Sequence, residues 1–240
     1  DISYSLKLSE KFSMSVAGRY IRSDLKINVD MDATSANTLG VDIAGFYQSN
    51  SFGMGNKDAV FRTGFNISNI GPRLKYDEGG QKDFIPTNLR VGSGIDIILD
   101  ESNVLGLNIE FSKLLVPSPI AFYDENNNLY YRQPDVSFFK GILESFGDAP
   151  NGTEEELKEI TWAVGTEYKF GENFALRTGY FNESEEKGSR RYLTFGAGFK
   201  YNNTNIDISY LSSTSKIRNP LENTLRFSLT FNFDSLDGGA

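Results

Sequence analysis

The sequence contains no cysteine and no histidine. The first absence rules out a disulfide framework, a thiol nucleophile and a zinc–thiolate site. The second removes Ser-His-Asp and Cys-His catalysis, imidazole metal ligation and the usual proton shuttle near neutral pH. The expectation is a protein that is not an enzyme, with no catalytic residue, no cofactor and no metal. Proline is scarce, at 7 in 240 residues, so few positions forbid strand pairing. No run approaches the roughly 18 consecutive apolar residues of a transmembrane helix. That excludes a helical membrane protein and leaves a β-barrel open, because barrel strands carry only a weak alternating signal. Lys and Arg number 24 against 32 Asp and Glu, a net charge of −8. Clustered cations are what phosphate binding needs, so no nucleic-acid partner is expected. No signal peptide is visible, and Asp1 already stands inside a strand pattern, as a processed or truncated start would.

What the sequence does contain is alternation. Leu225, Phe227, Leu229, Phe231 and Phe233 fall on one side of a strand, and Arg226, Ser228, Thr230 and Asn232 on the other. The same period predicts eleven strands near 2–9, 12–22, 38–48, 59–68, 87–99, 104–114, 160–170, 174–182, 191–201, 205–212 and 224–233. Their apolar rows carry no charge, whereas the opposite rows hold Arg19, Asp42, Arg62, Asp96, Glu167, Arg177 and Asp207 among many glycines. Such ribbons fit the inner faces of a soluble sandwich or the lipid face of a membrane barrel.

Connection length favours the barrel. Short connections at 10–11, 100–103, 171–173 and 202–204, with a medium one at 49–58, alternate with long ones at 23–37, 69–86, 115–159, 183–190 and 213–223. Outer-membrane barrels sort short periplasmic turns from long extracellular loops in this way, and Greek-key sandwiches do not. Tyr4, Phe12, Tyr20, Tyr47, Phe111, Phe170, Tyr201, Tyr210 and Phe233 lie toward strand ends, as interfacial girdles do. The fold class expected is therefore all-β, a transmembrane antiparallel β-barrel occupying 1–240 as one domain in the outer membrane. Eleven is odd, whereas bacterial single-chain barrels have even strand numbers, so an odd number of N-terminal strands is expected to be missing.

Two connections are candidates for recognition. The 69–86 stretch mixes charge, aromatics and turn formers, and is either an ordered surface loop or a docking loop in which Arg73, Lys75, Tyr76 and Phe84 meet a partner. In 115–159, Phe139, Ile142, Leu143 and Phe146 have helical spacing, with Lys140 and Glu144 between them. Thr153-Glu154-Glu155-Glu156 fits a capping box, in which Thr153 caps and Glu156 reaches back. This helical insertion, 134–160, either covers the barrel mouth or binds a partner through Phe139, Ile142 and Phe146. Other motifs are discounted. Gly92-Ser93-Gly94 lies inside a strand with no helix after it, so it is not a dinucleotide loop. Three glycosylation-like triplets, at Asn66, Asn151 and Asn182, match by chance, and Asp124-Glu125 is a solvated pair rather than a glycosidase site.

A series of segments resembles the PorV family, the FadL-like outer-membrane barrels of the type IX secretion system in Bacteroidota. It comprises Leu8-Ser9-Glu10-Lys11-Phe12-Ser13, Arg19-Tyr20-Ile21-Arg22-Ser23-Asp24-Leu25, Asn69-Ile70-Gly71 and Pro86-Thr87-Asn88-Leu89-Arg90-Val91-Gly92. It continues with Phe146-Gly147-Asp148-Ala149-Pro150, Glu155-Glu156-Leu157, Ala175-Leu176-Arg177-Thr178-Gly179-Tyr180-Phe181 and Asn219-Pro220-Leu221-Glu222-Asn223-Thr224-Leu225-Arg226-Phe227. The resemblance implies a fourteen-stranded barrel, of which three N-terminal strands would be absent here. It also implies a protein-transport role: collecting substrates with a C-terminal secretion domain from a SprA-type translocon and delivering them to attachment-complex proteins. Phe233 would be the closing aromatic of such a barrel, with Asp234–Ala240 continuing beyond it. The competing expectation is a FadL-like transporter of hydrophobic small molecules, which needs an apolar lumen.

Overall fold

The computed structural model describes residues 1–24, 35–76, 81–171, 173–215 and 222–232. The chain begins with β1 (Ile2–Lys7), β2 (Phe12–Ser23), β3 (Ala36–Gln48), β4 (Phe52–Met54), β5 (Lys57–Ile70), β6 (Leu74–Lys75) and β7 (Lys82–Asp83). Then come β8 (Asn88–Ile98), β9 (Asn103–Leu114), β10 (Ile120–Tyr123), β11 (Leu129–Arg132), α1 (Phe138–Glu144) and α2 (Thr153–Lys158). It closes with β12 (Thr161–Phe170), β13 (Phe174–Asn182), β14 (Arg191–Tyr201), β15 (Thr204–Ser213) and β16 (Leu225–Phe231).

The eleven strands read from the alternation are all present. They form one path, β1-β2-β3-β5-β8-β9-β12-β13-β14-β15-β16, with β4 paired to β5 beside it. The fold is all-β, mostly antiparallel and barrel-like, and the sheet is not closed. Two-stranded ribbons β6–β7 and β10–β11 stand apart from it. Each strand of the path enters from a short connection and leaves into a long one, or the reverse, because antiparallel neighbours reverse direction at every step. The medium connection at 49–58 is itself a hairpin, β4 to β5, turned at Gly55 with φ 66°. Phe233, Leu25, residues 77–80 and residues 219–221, all used in the sequence reading, lie outside the described residues.

Which row faces outward decides between sandwich and barrel. A sandwich buries its apolar rows between two sheets. On strands paired on both sides those rows are the more exposed ones: Leu39 and Val41 on β3 beside buried Thr38 and Gly40, Phe61 on β5, and Leu193 and Phe195 on β14 beside half-buried Thr194 and Gly196. Leu39 is 64% exposed and Phe195 51%. Removing such a side chain from water is worth about 1.5–3 kcal/mol, so these rows are at ease only against lipid or another apolar phase. The buried apolar residues among those described are few and mostly small: Ala36, Ala59, Leu74, Ile85, Leu115, Ala149 and Ala175. No described helix is long and apolar enough to cross a membrane, and the strands are the elements with an apolar face.

The chain divides into two compact units, each with its own interior. The first comprises Asp1–Tyr47, Gly64–Val91 and Ser112–Ile160. Its core packs Ala36, Leu74 and Ile85 with Ile21 and Tyr76 against them. Its polar row is knitted together by Arg19, which donates to Asp1 at 3.1 Å, Asp42 at 3.1 Å and Asn69 at 2.8 Å. Asp42 in turn accepts from the Asn69 backbone N–H at 2.8 Å.

The second unit comprises Gln48–Thr63, Gly92–Phe111 and Thr161–Ala240. Arg62 pairs with Asp96. Arg177 donates to Glu167, its register partner on β12, at 2.6 Å, and to Asp207 at 2.5 Å. Asp207 belongs to β15, and Gly198 of the intervening β14 is its register partner. A Cβ at Gly198 would stand 2.6 Å from Asp207 Oδ1 and 2.9 Å from the Arg177 guanidinium. Glycine there lets an ion pair reach across a strand. The polar-row charges therefore satisfy one another, as the mixed signs in the sequence suggested.

Candidate partner-binding surfaces

The connection from β5 to β8 is more tightly committed than a free loop. Leu74 and Ile85 enter the core, and the Tyr76 hydroxyl donates to Ser23 Oγ at 3.1 Å. Arg73, only 9% exposed at its side chain, donates to the Lys82 carbonyl at 3.0 Å and pairs with Asp135 at 3.1 Å. Its guanidinium lies 4.6 Å from the Phe84 ring centroid, a geometry in which cation and ring attract. Arg73, Tyr76 and Phe84 thus brace the connection and tie it to the next one. Lys75 is exposed on β6.

The connection from β9 to β12 carries three substructures. The first, β10–β11, is an aromatic hairpin that the sequence reading missed. Ile120, Phe122, Tyr130 and Arg132 share one face, and Ala121, Tyr123, Leu129 and Tyr131 the other. Every residue of both strands is exposed. Phe122 stacks on Tyr130 at 5.7 Å. The turn is tied by Asp124, whose carboxylate accepts from the Asn126 and Asn128 backbone N–H groups at 2.9 and 2.7 Å. Hydrogen bonds from Asn128, backbone first and then side chain, hold the Asp124 pKa below its ordinary value. A two-stranded ribbon is marginal by itself in water, and this one leaves apolar groups open on both sides. The signal was in the sequence: two aromatic runs around the turn-forming Asp124–Asn128.

The second substructure is α1. Ser137 caps it by accepting from the Lys140 N–H. The helix expected from the apolar spacing is present. Its buried residues are Gly141 and Ser145, and Phe139, Leu143 and Phe146 point outward, with Ile142 half-buried. Gly141 sits on Phe84 and Pro117, where an added Cβ would come within 2.8 and 3.0 Å.

The third is α2, where the capping box fails. Gly152, at φ 73°, is the cap residue and Thr153 is already helical. Glu156 does not reach back to Thr153. It pairs with Lys113 at 2.6 Å, and Glu159 joins the same ammonium at 2.7 Å. Lys113, 7% exposed, needs both carboxylates more than the helix needs a reciprocal cap. A second tie joins the Ser118 N–H to Asp148 at 2.7 Å. Lys113, Asp148 and Gly141 were not singled out in the sequence, since nothing local marks a lysine or a glycine as an anchor for a segment about thirty residues away.

The architecture defines a class: an all-β, barrel-like protein with exposed apolar strand rows and elaborated connections between its strands. Residues 1–121 match the family model described as type IX secretion system protein PorV. That stretch is half of the chain, and the chain belongs to this family of secretion-system components. The match ends at Ala121, inside β10, so α1 and α2 lie beyond it. No curated protein matches the chain.

Proposed function

We propose that this chain acts in the outer membrane as the shuttle of the type IX secretion system. In this reading it binds cargo with a C-terminal signal domain at a SprA-type translocon and passes it to the attachment complex. Residues 1–240 act as one barrel domain, the long connections are extracellular, the short turns are periplasmic, and 134–160 is a helical insertion. Family membership supports the secretion role, and the outward apolar rows support residence in lipid. The observation that carries the binding role is the β10–β11 hairpin, aromatic and exposed on both faces, because such surface marks a contact site. Of the seven partner residues read from sequence, Lys75, Phe139 and Phe146 are exposed, and Arg73, Tyr76, Phe84 and Ile142 are half-buried. A small-molecule transporter is less well supported, since its polar rows would line the path with the Arg19 and Arg177 ion networks.

Replacing 120–132 by a short Gly-Ser linker tests the proposal. The barrel should remain folded, seen as heat-modifiable gel mobility, while co-purification of translocon and cargo is lost and secretion stops. Normal secretion by the folded variant would overturn the hairpin's role.

A further inference from the structure

We infer that the outward face of α1 and α2 is a second docking surface, made for a protein segment that is apolar and rimmed with Lys and Arg. The inference rests on the secretion reading above, in that it takes the long connections to meet partner proteins. It concerns a different element from the hairpin.

Three observations carry it. Phe139 and Leu143 stand at i and i+4 as an apolar stripe on α1, Phe146 follows in the turn just after its C-cap, and the three are 64%, 74% and 51% exposed. Leu157 of α2, 68% exposed, adds to the apolar surface of the insertion. The stripe is not a helix packed the wrong way by accident. Gly141 and Ser145 are the residues against the protein, and no Cβ fits at Gly141. Rolling α1 to bury its phenylalanines would drive a larger side chain onto Phe84 and Pro117. The outward stripe is therefore fixed by the packing beneath it.

Charge then selects the occupant. Between 134 and 160 stand seven carboxylates and two lysines. Lys140 pairs with Glu144 and Lys158 with Glu154, while Arg73 meets Asp135 and Lys113 meets Glu156 and Glu159. Counting those four cations against the seven carboxylates, the setting of the apolar stripe stays net negative. An anionic lipid surface would be repelled, and so would a second copy, because a two-fold contact sets the same patch against itself. A cationic protein segment gains both apolar contact and charge complementarity, and aromatic anchors ringed by charge are the usual form of a selective interface.

The test uses the full chain in neutral-lipid nanodiscs. The sequence has no cysteine, so Thr153→Cys accepts a single environment-sensitive dye at the start of α2. Two synthetic amphipathic helices serve as probes, one Leu/Lys and one Leu/Glu. The Leu/Lys peptide should bind, with affinity falling at least tenfold in F139S/L143S/F146S and several-fold in Glu154→Lys or in high salt. The Leu/Glu peptide should not bind. Equal binding of both peptides, or unchanged affinity in both variants, would overturn the inference, as would tighter association with anionic vesicles than with the peptide. In cells, a photo-crosslinker at Leu143 should join a different protein at a Lys- or Arg-bearing peptide. Self-adducts alone, or no protein adduct, would also overturn it. Loss of secretion on hairpin replacement, beside normal secretion by F139S/L143S/F146S, would sink this inference alone and leave the shuttle reading standing.

Discussion

The row of β9 and the stripe of α1 both turn leucine and phenylalanine outward, yet they differ in setting. On β9, Leu107, Ile109 and Phe111 repeat every second residue with no charge among them. Leu39 and Val41 on β3, Val164 on β12 and Leu193 and Phe195 on β14 repeat the pattern in their own strands, so the charge-free row recurs strand after strand. On α1, Phe139 and Leu143, with Phe146 just past the C-cap, form a narrow stripe flanked by Lys140 and Glu144, in a segment rich in carboxylates. A broad charge-free face suits lipid, where any charge is costly. A narrow face with charges at its border suits a protein, where the border supplies specificity. The underside differs as well. Beneath the sheet rows lie ion networks closed within the polar rows, whereas beneath α1 lies the close fit of a glycine on Phe84 and Pro117.

The sharpest way to break the comparison is one substitution made in both places. Leu107→Arg puts a charge on the strand row at a cost of about 2–4 kcal/mol near mid-bilayer, and should prevent assembly. Leu143→Arg, on the helix face, should leave assembly intact, because the charge remains in water. Heat-modifiable mobility reads both. Loss of assembly in both variants, or in neither, would erase the distinction drawn between the two faces.

Lys113→Met asks whether the insertion is held separately from the sheet. Removing the ammonium leaves Glu156 and Glu159 without their cation, and breaking such a buried pair costs about 3–5 kcal/mol. The penalty should fall on α2. Limited proteolysis should then cut between 145 and 160 while the barrel keeps its folded mobility. Resistance equal to the parent would mean that Lys113 contributes no anchorage.

The smallest effect concerns the β13–β14 connection, which has no exposed apolar stripe to compare with α1. Glu183 accepts from the Arg190 side chain at 2.7 Å and from its backbone N–H at 3.2 Å. The Arg190 side-chain hydrogen bond is the main cause of a Glu183 pKa held below its ordinary value of 4.5. A depressed carboxylate stabilises the folded state fully above its unfolded pKa, and that contribution fades as pH falls through the lower folded value. Protection of the Arg190 amide, taken relative to its intrinsic exchange rate at each pH, should therefore be highest above about pH 5 and should fall on acidification below 4.5. Glu183→Gln should remove that pH dependence of the protection. A flat protection profile in the parent would show that this carboxylate does not hold the turn.

Strand existence was legible because a period of two is written locally, and each of the eleven runs shows it without help from any other. Which residues share a row was legible for a related reason: charge on one side only makes a one-residue shift ruinous, while the outward direction of the row was read from the sorted connection lengths. The insertion was half legible. Apolar spacing at 139–146 and a cap signal at 153–156 marked the two helices, but they could not say which side of α1 faces down. From spacing, Phe139, Ile142 and Phe146 either cover the barrel mouth or meet a partner, and of them Phe139 and Phe146 are exposed and Ile142 is half-buried. The side against the protein holds Gly141, where an added Cβ would stand 2.8 Å from Phe84 and 3.0 Å from Pro117.

Alternation, the charge-free rows and the missing cysteine and histidine were thus settled by residue order alone, because each depends on neighbours a few positions apart. Tertiary structure decided the rest. It turned Arg73 and Phe84 from presumed contacts into braces, drew Glu156 from its cap to Lys113, and left Phe139, Leu143 and Phe146 in the open. Those outcomes depend on groups tens of residues apart competing for the same space and the same charge, and no local pattern records who wins.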